Sequence, residues 1–238
     1  VDDRKEVDST VLRGLVWTGP AMVVGMLAAM WPLMQMIPPP SPALSADEVR
    51  QLFAENATRF RVGALLMSIS WSLYPAWGVV VAVFTRRMER RHPVLTYATI
   101  ALVAVGATLL VLVPMTWAVC SFRVDTLSPE TIQIMNDWVW FLFLYPWPPV
   151  GLWMLLIALA VLRDHNRPPI FPRWVGYMNI VCAVALFPGG MIAFFKTGPL
   201  AYNGLMAFWV VFCDFFVWMM VMSWIMFRAI RNEEFLPA

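Results

Sequence analysis

Charged residues fall along this chain in clusters, and between the clusters lie long stretches that have none. Residues 14–46, 62–85, 92–122, 138–162 and 174–195 contain no Asp, Glu, Lys or Arg, and residues 197–227 contain only Asp214. A helix that crosses a bilayer core needs about 20 apolar residues, and each run meets that length. The pattern predicts six spans, at about 14–37, 62–85, 94–120, 133–162, 174–196 and 204–228. The last two share one apolar stretch, divided where Lys196-Thr-Gly198-Pro199 marks a turn. Inside hydrocarbon the backbone must satisfy its own hydrogen bonds, so the fold class is all-α: a polytopic transmembrane bundle. Short alternating segments of the kind a β-barrel needs are absent. A single transmembrane domain over residues 1–238 is expected.

Between the first two spans one segment reads differently. Pro38-Pro39-Pro40 ends the first span, and Ser45-Ala-Asp-Glu48 then has the form of a capping box, with Ser45 at the N-cap and Glu48 at N3. Val49, Leu52 and Phe53 share one face of the helix that follows, which is predicted to run to about Thr58. It should lie on the outer membrane surface or cover the mouth of the bundle.

Prolines interrupt five spans: Pro32, Pro75, Pro114, the group Pro146, Pro148 and Pro149, and Pro188. Each removes a backbone hydrogen bond and is expected to kink its helix. By the predicted topology all lie at mid-depth or in the outer half, an arrangement that would splay the bundle into an outward-facing pocket. Two of the interruptions echo each other. Leu73-Tyr74-Pro75-Ala-Trp77 in span 2 resembles Leu144-Tyr145-Pro146-Trp147 in span 4, and Leu44-Ser45 and Leu127-Ser128 precede the two spans. A duplicated hairpin, spans 1–2 and 3–4, would give this pattern, as in transporters built from repeats. Chance recurrence of residues common in membrane helices would give it too.

Composition sharpens the class. Apolar residues make up 61% and charged residues 13%, against roughly 45–50% and about 25% in soluble domains. A soluble enzyme, a nucleic-acid binder and a disordered scaffold are excluded. The net charge of +2 suggests no polyanionic partner. The chain opens with charged residues from Asp2 to Asp8, and its first apolar run is longer than a signal-peptide core, so no cleavable signal is expected. The basic residues are divided unevenly. Twelve (Arg4, Lys5, Arg13, Arg86, Arg87, Arg90, Arg91, Arg163, Arg167, Arg173, Arg228 and Arg231) fall on one side. Five (Arg50, Arg59, Arg61, Arg123 and Lys196) fall on the other. The positive-inside rule then places both termini in the cytoplasm, here of a bacterial inner membrane. Trp138, Trp140 and Trp174, near span ends, fit interfacial belts.

Candidate chemistry is sparse. Asp214 lies roughly 16 Å into span 6, counting 1.5 Å per residue. A carboxyl at that depth costs several kcal/mol unless paired or neutral, and commonly marks a function. Tyr74, Tyr145, Ser72 and Ser70 are placed to donate to it, and Lys196 could reach part of the way. Together Asp214, Tyr74, Tyr145 and Ser72 form the candidate ligand or proton site; a protonated Asp214 that staples span 6 to a neighbour is the structural alternative. Asn136 and Asp137, at the outer edge of span 4, are expected to solvate or cap, and Asn179 is a candidate for an interhelical hydrogen bond. His92 and His165 fall in loops, so a bis-histidine haem is unsupported. No catalytic metal motif, nucleophile triad or phosphate loop appears, and neither cofactor nor metal is implied. The surface trio His92, His165 and Asp164 is the nearest approach to a metal set. Cys120, Cys182 and Cys213 form no CxxC pair; Cys182 and Cys213 lie at depths where they could approach. Met, Phe and Trp give a soft aromatic interior suited to apolar ligands or partner helices, though many would simply face lipid.

Asn56-Ala-Thr-Arg-Phe60-Arg-Val-Gly63 before span 2 and Pro172-Arg173-Trp174-Val-Gly176-Tyr177 before span 5 resemble an uncharacterised bacterial family of small six-helix integral membrane proteins. The resemblance implies fold and topology only, since that family brings no activity. Span 4, with Pro146-Trp-Pro-Pro149, departs from its pattern. Three functions stand open. The first is a non-enzymatic binding protein or subunit for an apolar or lipid-like ligand, with membrane lipids and other membrane subunits as partners. The second is a small proton-coupled transporter using Asp214. The third is an intramembrane enzyme acting on a lipid-soluble substrate.

Overall fold

The computed structural model describes residues 3–234, with side chains from 9 to 232. The side chains of Arg4 and Lys5, counted above in the charge bias, lie outside the described residues. Six helical segments are long and apolar enough to cross a membrane: Ser9–Leu33, Ala57–Met88, Val94–Phe122, Pro129–Leu162, Arg173–Ala193 and Leu205–Asn232. Among the described residues there is no strand. The chain is an all-helical, multi-pass integral membrane protein.

The spans are built from α1 (Asp3–Ala28), α3 (Ala57–Trp71) with α4 (Tyr74–Met88), α5 (Val94–Phe122), α6 (Pro129–Leu144) with α7 (Trp147–Leu162), α8 (Arg173–Ala185) and α9 (Val211–Glu234). They close a ring in chain order. α1 packs on α3 and α4, α5 on α3, α4, α6 and α7, α7 on α8, α8 on α9, and α9 back on α1. Aromatic side chains fill the centre. Trp77 of α4, Trp153 of α7 and Trp218 of α9 meet edge to face in a closed triangle, with ring centroids 5.9, 5.4 and 5.2 Å apart. Such pairs contribute about 0.5–1.5 kcal/mol each beyond burial. Trp77 donates to the Ser223 hydroxyl at 2.9 Å and Trp218 to the Asn179 carbonyl oxygen at 2.9 Å. Asn179 thus bridges α8 and α9.

One end of the ring carries α2 (Ala46–Glu55), and the other carries the start of α1 and the end of α9. The capping box forms as its sequence predicts. Ser45 Oγ accepts from the Glu48 backbone N–H, and the Glu48 carboxylate accepts from the Ser45 N–H at 2.7 Å. α2 stops at Glu55, short of Thr58, because the chain turns at Asn56 and restarts as α3. Val49 and Phe53 are buried, and Phe53 packs on Phe60 at 4.4 Å. Arg50 donates to the Val124 carbonyl, and Gln133 of α6 donates to that of Leu44. α2 therefore sits on the bundle, over α6. At the terminal end the loop acids act as caps. Glu89 accepts from the N–H groups of Leu95 and Thr96, and Asp164 from those of Asn166 and Ile170.

The interfacial reading of Trp140 is corrected: its ring is fully buried and stacks on Tyr202 at 5.3 Å, whereas Trp138 and Trp174 are exposed. Many methionines likewise serve the interior, from Met22 and Met26 of α1 to Met219, Met222 and Met226 of α9.

Candidate functional site at the helix breaks

Pro lacks an N–H and its ring clashes with the carbonyl four residues back, so a helix must yield there unless its neighbours compensate. Three spans yield at mid-length. Span 2 breaks between Trp71 and Tyr74, span 4 between Leu144 and Trp147, and span 5 passes at Phe187 from α-helix into a 3₁₀ turn that ends at Ala193. Span 6 opens with a π-helical stretch, Leu205–Val210, before α9. Pro114 departs from the expectation, since α5 runs through it unbroken.

The breaks converge on one cavity of about 50 Å³. Trp71 comes from the first break, Leu144, Pro146 and Trp147 from the second, Leu186 from the third, and Val211 from the start of α9; Gly106 and Leu110 of α5 complete the wall. Among the described residues no lining residue is charged. The pocket lies at mid-span rather than at the mouth. Two glycines allow this packing. A Cβ on Gly189 would stand 2.8 Å from the Leu144 carbonyl oxygen, and one on Gly190 would strike the Trp147 indole. Pro148 stands where the i+4 N–H for the Leu144 carbonyl would be, and the bare Cα of Gly189 fills that side.

Asp214 lies one helical turn from the cavity along the α8–α9 seam. The antiparallel register places Leu186 beside Val211 at the cavity, Cys182 and Asp214 one turn on, and Asn179 with Trp218 a turn beyond that. Cys182 is buried, and its thiol is the side-chain neighbour of the Asp214 carboxyl. Asp214 Oδ2 is buried with no hydrogen-bond partner.

The hydroxyl donors expected around Asp214 are elsewhere. Tyr145 is 44% exposed and stacks on Phe141 at 5.7 Å. Ser72 is exposed, and its hydroxyl donates to the Ile69 carbonyl. Both sit in the helix breaks, and the turns carry them outward. Ser70 is buried but donates to the Leu66 carbonyl of its own helix. Tyr74 also stays inside. It lies edge-on to Trp71 and Trp153, and its hydroxyl stands 3.0 Å from where a Cβ on Gly106 would be, behind the cavity wall. Phe215, not Asp214, is its neighbour on α9; one residue further round a helix turns a side chain by about 100°. Cys182 and Cys213 do not pair: one is buried, the other exposed, and both are free.

A polar cluster at the α2 end was missed by sequence reasoning. Asn136, expected to solvate, is buried and accepts from Trp117 at 3.3 Å. Asp137 accepts from the Tyr202 hydroxyl at 3.3 Å, with Lys196 as the nearby cation. Burial and then the charge of Asp137 raise the Tyr202 phenol above its ordinary value. The signal was the adjacent pair Asn136-Asp137 in an otherwise apolar run, which needs a partner in the 197–204 loop. Among the described residues no three His, Cys, Asp or Glu side chains converge, so His92, His165 and Asp164 form no cluster.

Comparison with protein-family models, with curated proteins and with solved structures finds no match. Chemistry is therefore argued from the site alone. An apolar cavity stays dry and favours an apolar group. By this measure a water needs about 10–15 Å³, so the space has room for a branch or a short run of methylenes.

Proposed function

We propose that this chain is a non-enzymatic membrane binding protein for an apolar, lipid-like molecule. The observation that supports the reading is the uncharged cavity at which breaks of three spans meet. Discontinuous helices near mid-membrane are a recurrent way to build a site there. Wild-type protein purified in mild detergent should carry a bound lipid-like species, detected by native mass spectrometry. Val150→Phe, which fills the lining from α7, should lose it while remaining folded. Equal retention by both proteins would sink the reading.

A second reading, a small proton-coupled transporter, draws on Asp214. A carboxyl oxygen buried without a partner, one turn from the cavity, opposes stability and suits a proton carrier. Asp214→Asn should then abolish pH-dependent uptake in reconstituted vesicles. We place both termini in the cytoplasm of a bacterial inner membrane, supported by the twelve-to-five division of basic residues.

A further inference from the structure

At the opposite end of the bundle from α2, a second cavity of about 220 Å³ opens between the 164–172 loop, the start of α8 and the last turns of α9. Its walls are Pro169, Ile170 and Trp174 on one side and Ile225, Arg228 and Asn232 on the other. Among the described residues Arg228 is its only charged lining residue. The carboxylate in the adjoining loop is committed elsewhere, since Asp164 accepts from the Asn166 and Ile170 N–H groups. The Arg228 guanidinium lies 6.0 Å over the Trp224 ring and forms no ion pair among the described residues. Trp174 and Trp224 are both exposed on the bundle surface. Arg228 and Trp174 stand at the ends of their spans, Leu205–Asn232 and Arg173–Ala193, the level of a bilayer's headgroup layer.

We propose that this cavity binds the phosphodiester headgroup of an anionic phospholipid. The guanidinium matches a phosphate oxygen pair in planar, bidentate geometry. The Asn232 amide offers a further donor, and the Trp174 indole in the cavity wall lies beside the position where the glycerol backbone would leave the headgroup. Basic pockets between membrane helices at this depth recognise such headgroups. An anionic lipid, rather than free phosphate, is favoured because Trp174 of the cavity wall and Trp224, beneath the Arg228 guanidinium, are both exposed on the bundle surface at the bilayer level.

The full chain in nanodiscs containing phosphatidylglycerol and phosphatidylcholine supplies the test, with retained lipid read by native mass spectrometry after detergent exchange. Wild type should retain phosphatidylglycerol in preference to phosphatidylcholine. Arg228→Gln should reduce that retention about fivefold or more, and Asn232→Ala should reduce it less. Arg231→Gln, an exposed neighbour outside the cavity lining, should leave it unchanged. Arg228 and Asn232 are exposed, so these variants should fold, which an unshifted melting curve would verify. Equal retention of the two lipids, or an equal loss with Arg228→Gln and Arg231→Gln, overturns the proposal in favour of general charge attraction. Displacement of the lipid by millimolar inorganic phosphate overturns the assignment to a lipid and makes the cavity a free-phosphate site.

Discussion

Asp214 keeps a buried carboxyl oxygen without a hydrogen-bond partner, while neighbours a turn or two away satisfy theirs, as Asn179 does with Trp218 and Ser223 with Trp77. A buried unsatisfied acceptor costs about 1–3 kcal/mol. Asp214→Leu should therefore melt no lower than wild type, and up to that amount more stably, in detergent thermal denaturation. A clear drop in melting temperature would show that the carboxyl is a staple after all. The sequence marked Asp214 as exceptional because one acid in a 31-residue window stands out without any structure. Its surroundings were not legible. Helical spacing does not say which way a side chain turns beside a break, and Tyr145 and Ser72 lie in the breaks themselves. Tyr202 was missed for a related reason: it lies in a short loop, and only the fold carries it onto Trp140 and Asp137.

Elements were read more accurately where a local cause fixed them. The α2 N-terminus follows from Ser45 and Glu48 alone. Ser45→Ala should cost about 1 kcal/mol of local stability, seen as increased mobility of a spin label at position 51. The backbone N–H and then the hydroxyl of Ser45 hold the Glu48 carboxyl below the usual carboxylate range. A depressed folded value means that this stabilisation is complete above the unfolded value and disappears as pH falls through the folded one. The same label should therefore gain mobility on acidification, and in Glu48→Gln protein it should not respond. At the breaks, proline explains why spans 2, 4 and 5 yield, but not why α5 holds through Pro114, which is buried among the helices that surround it. The pair Gly189-Gly190 serves close approach to the break in span 4. Gly189→Ala would meet a backbone carbonyl and should destabilise by about 1–3 kcal/mol; a neutral result would mean that the break can relax.

For the whole molecule, six charge-poor runs were sufficient to state span number and fold class, because hydrocarbon leaves the backbone no alternative to helices. Ring closure between α1 and α9 was not legible, since nothing local to either helix names its distant partner. The orientation we propose is checked by cysteine labelling from outside the cell: a cysteine at position 125 should react and one at position 90 should not, and the reverse would invert the topology. The central claim, that the cavity at the helix breaks receives an apolar molecule, is tested most directly by photo-cross-linking. A diazirine-bearing alkyl lipid is activated with the reconstituted protein, and the adducts are mapped by tandem mass spectrometry. The account predicts adducts concentrated on cavity residues such as Leu110, Val150 and Phe215, suppressed by excess unlabelled lipid. Adducts confined to surface positions such as Leu65, Val181 and Val217, undiminished by competitor, would contradict it.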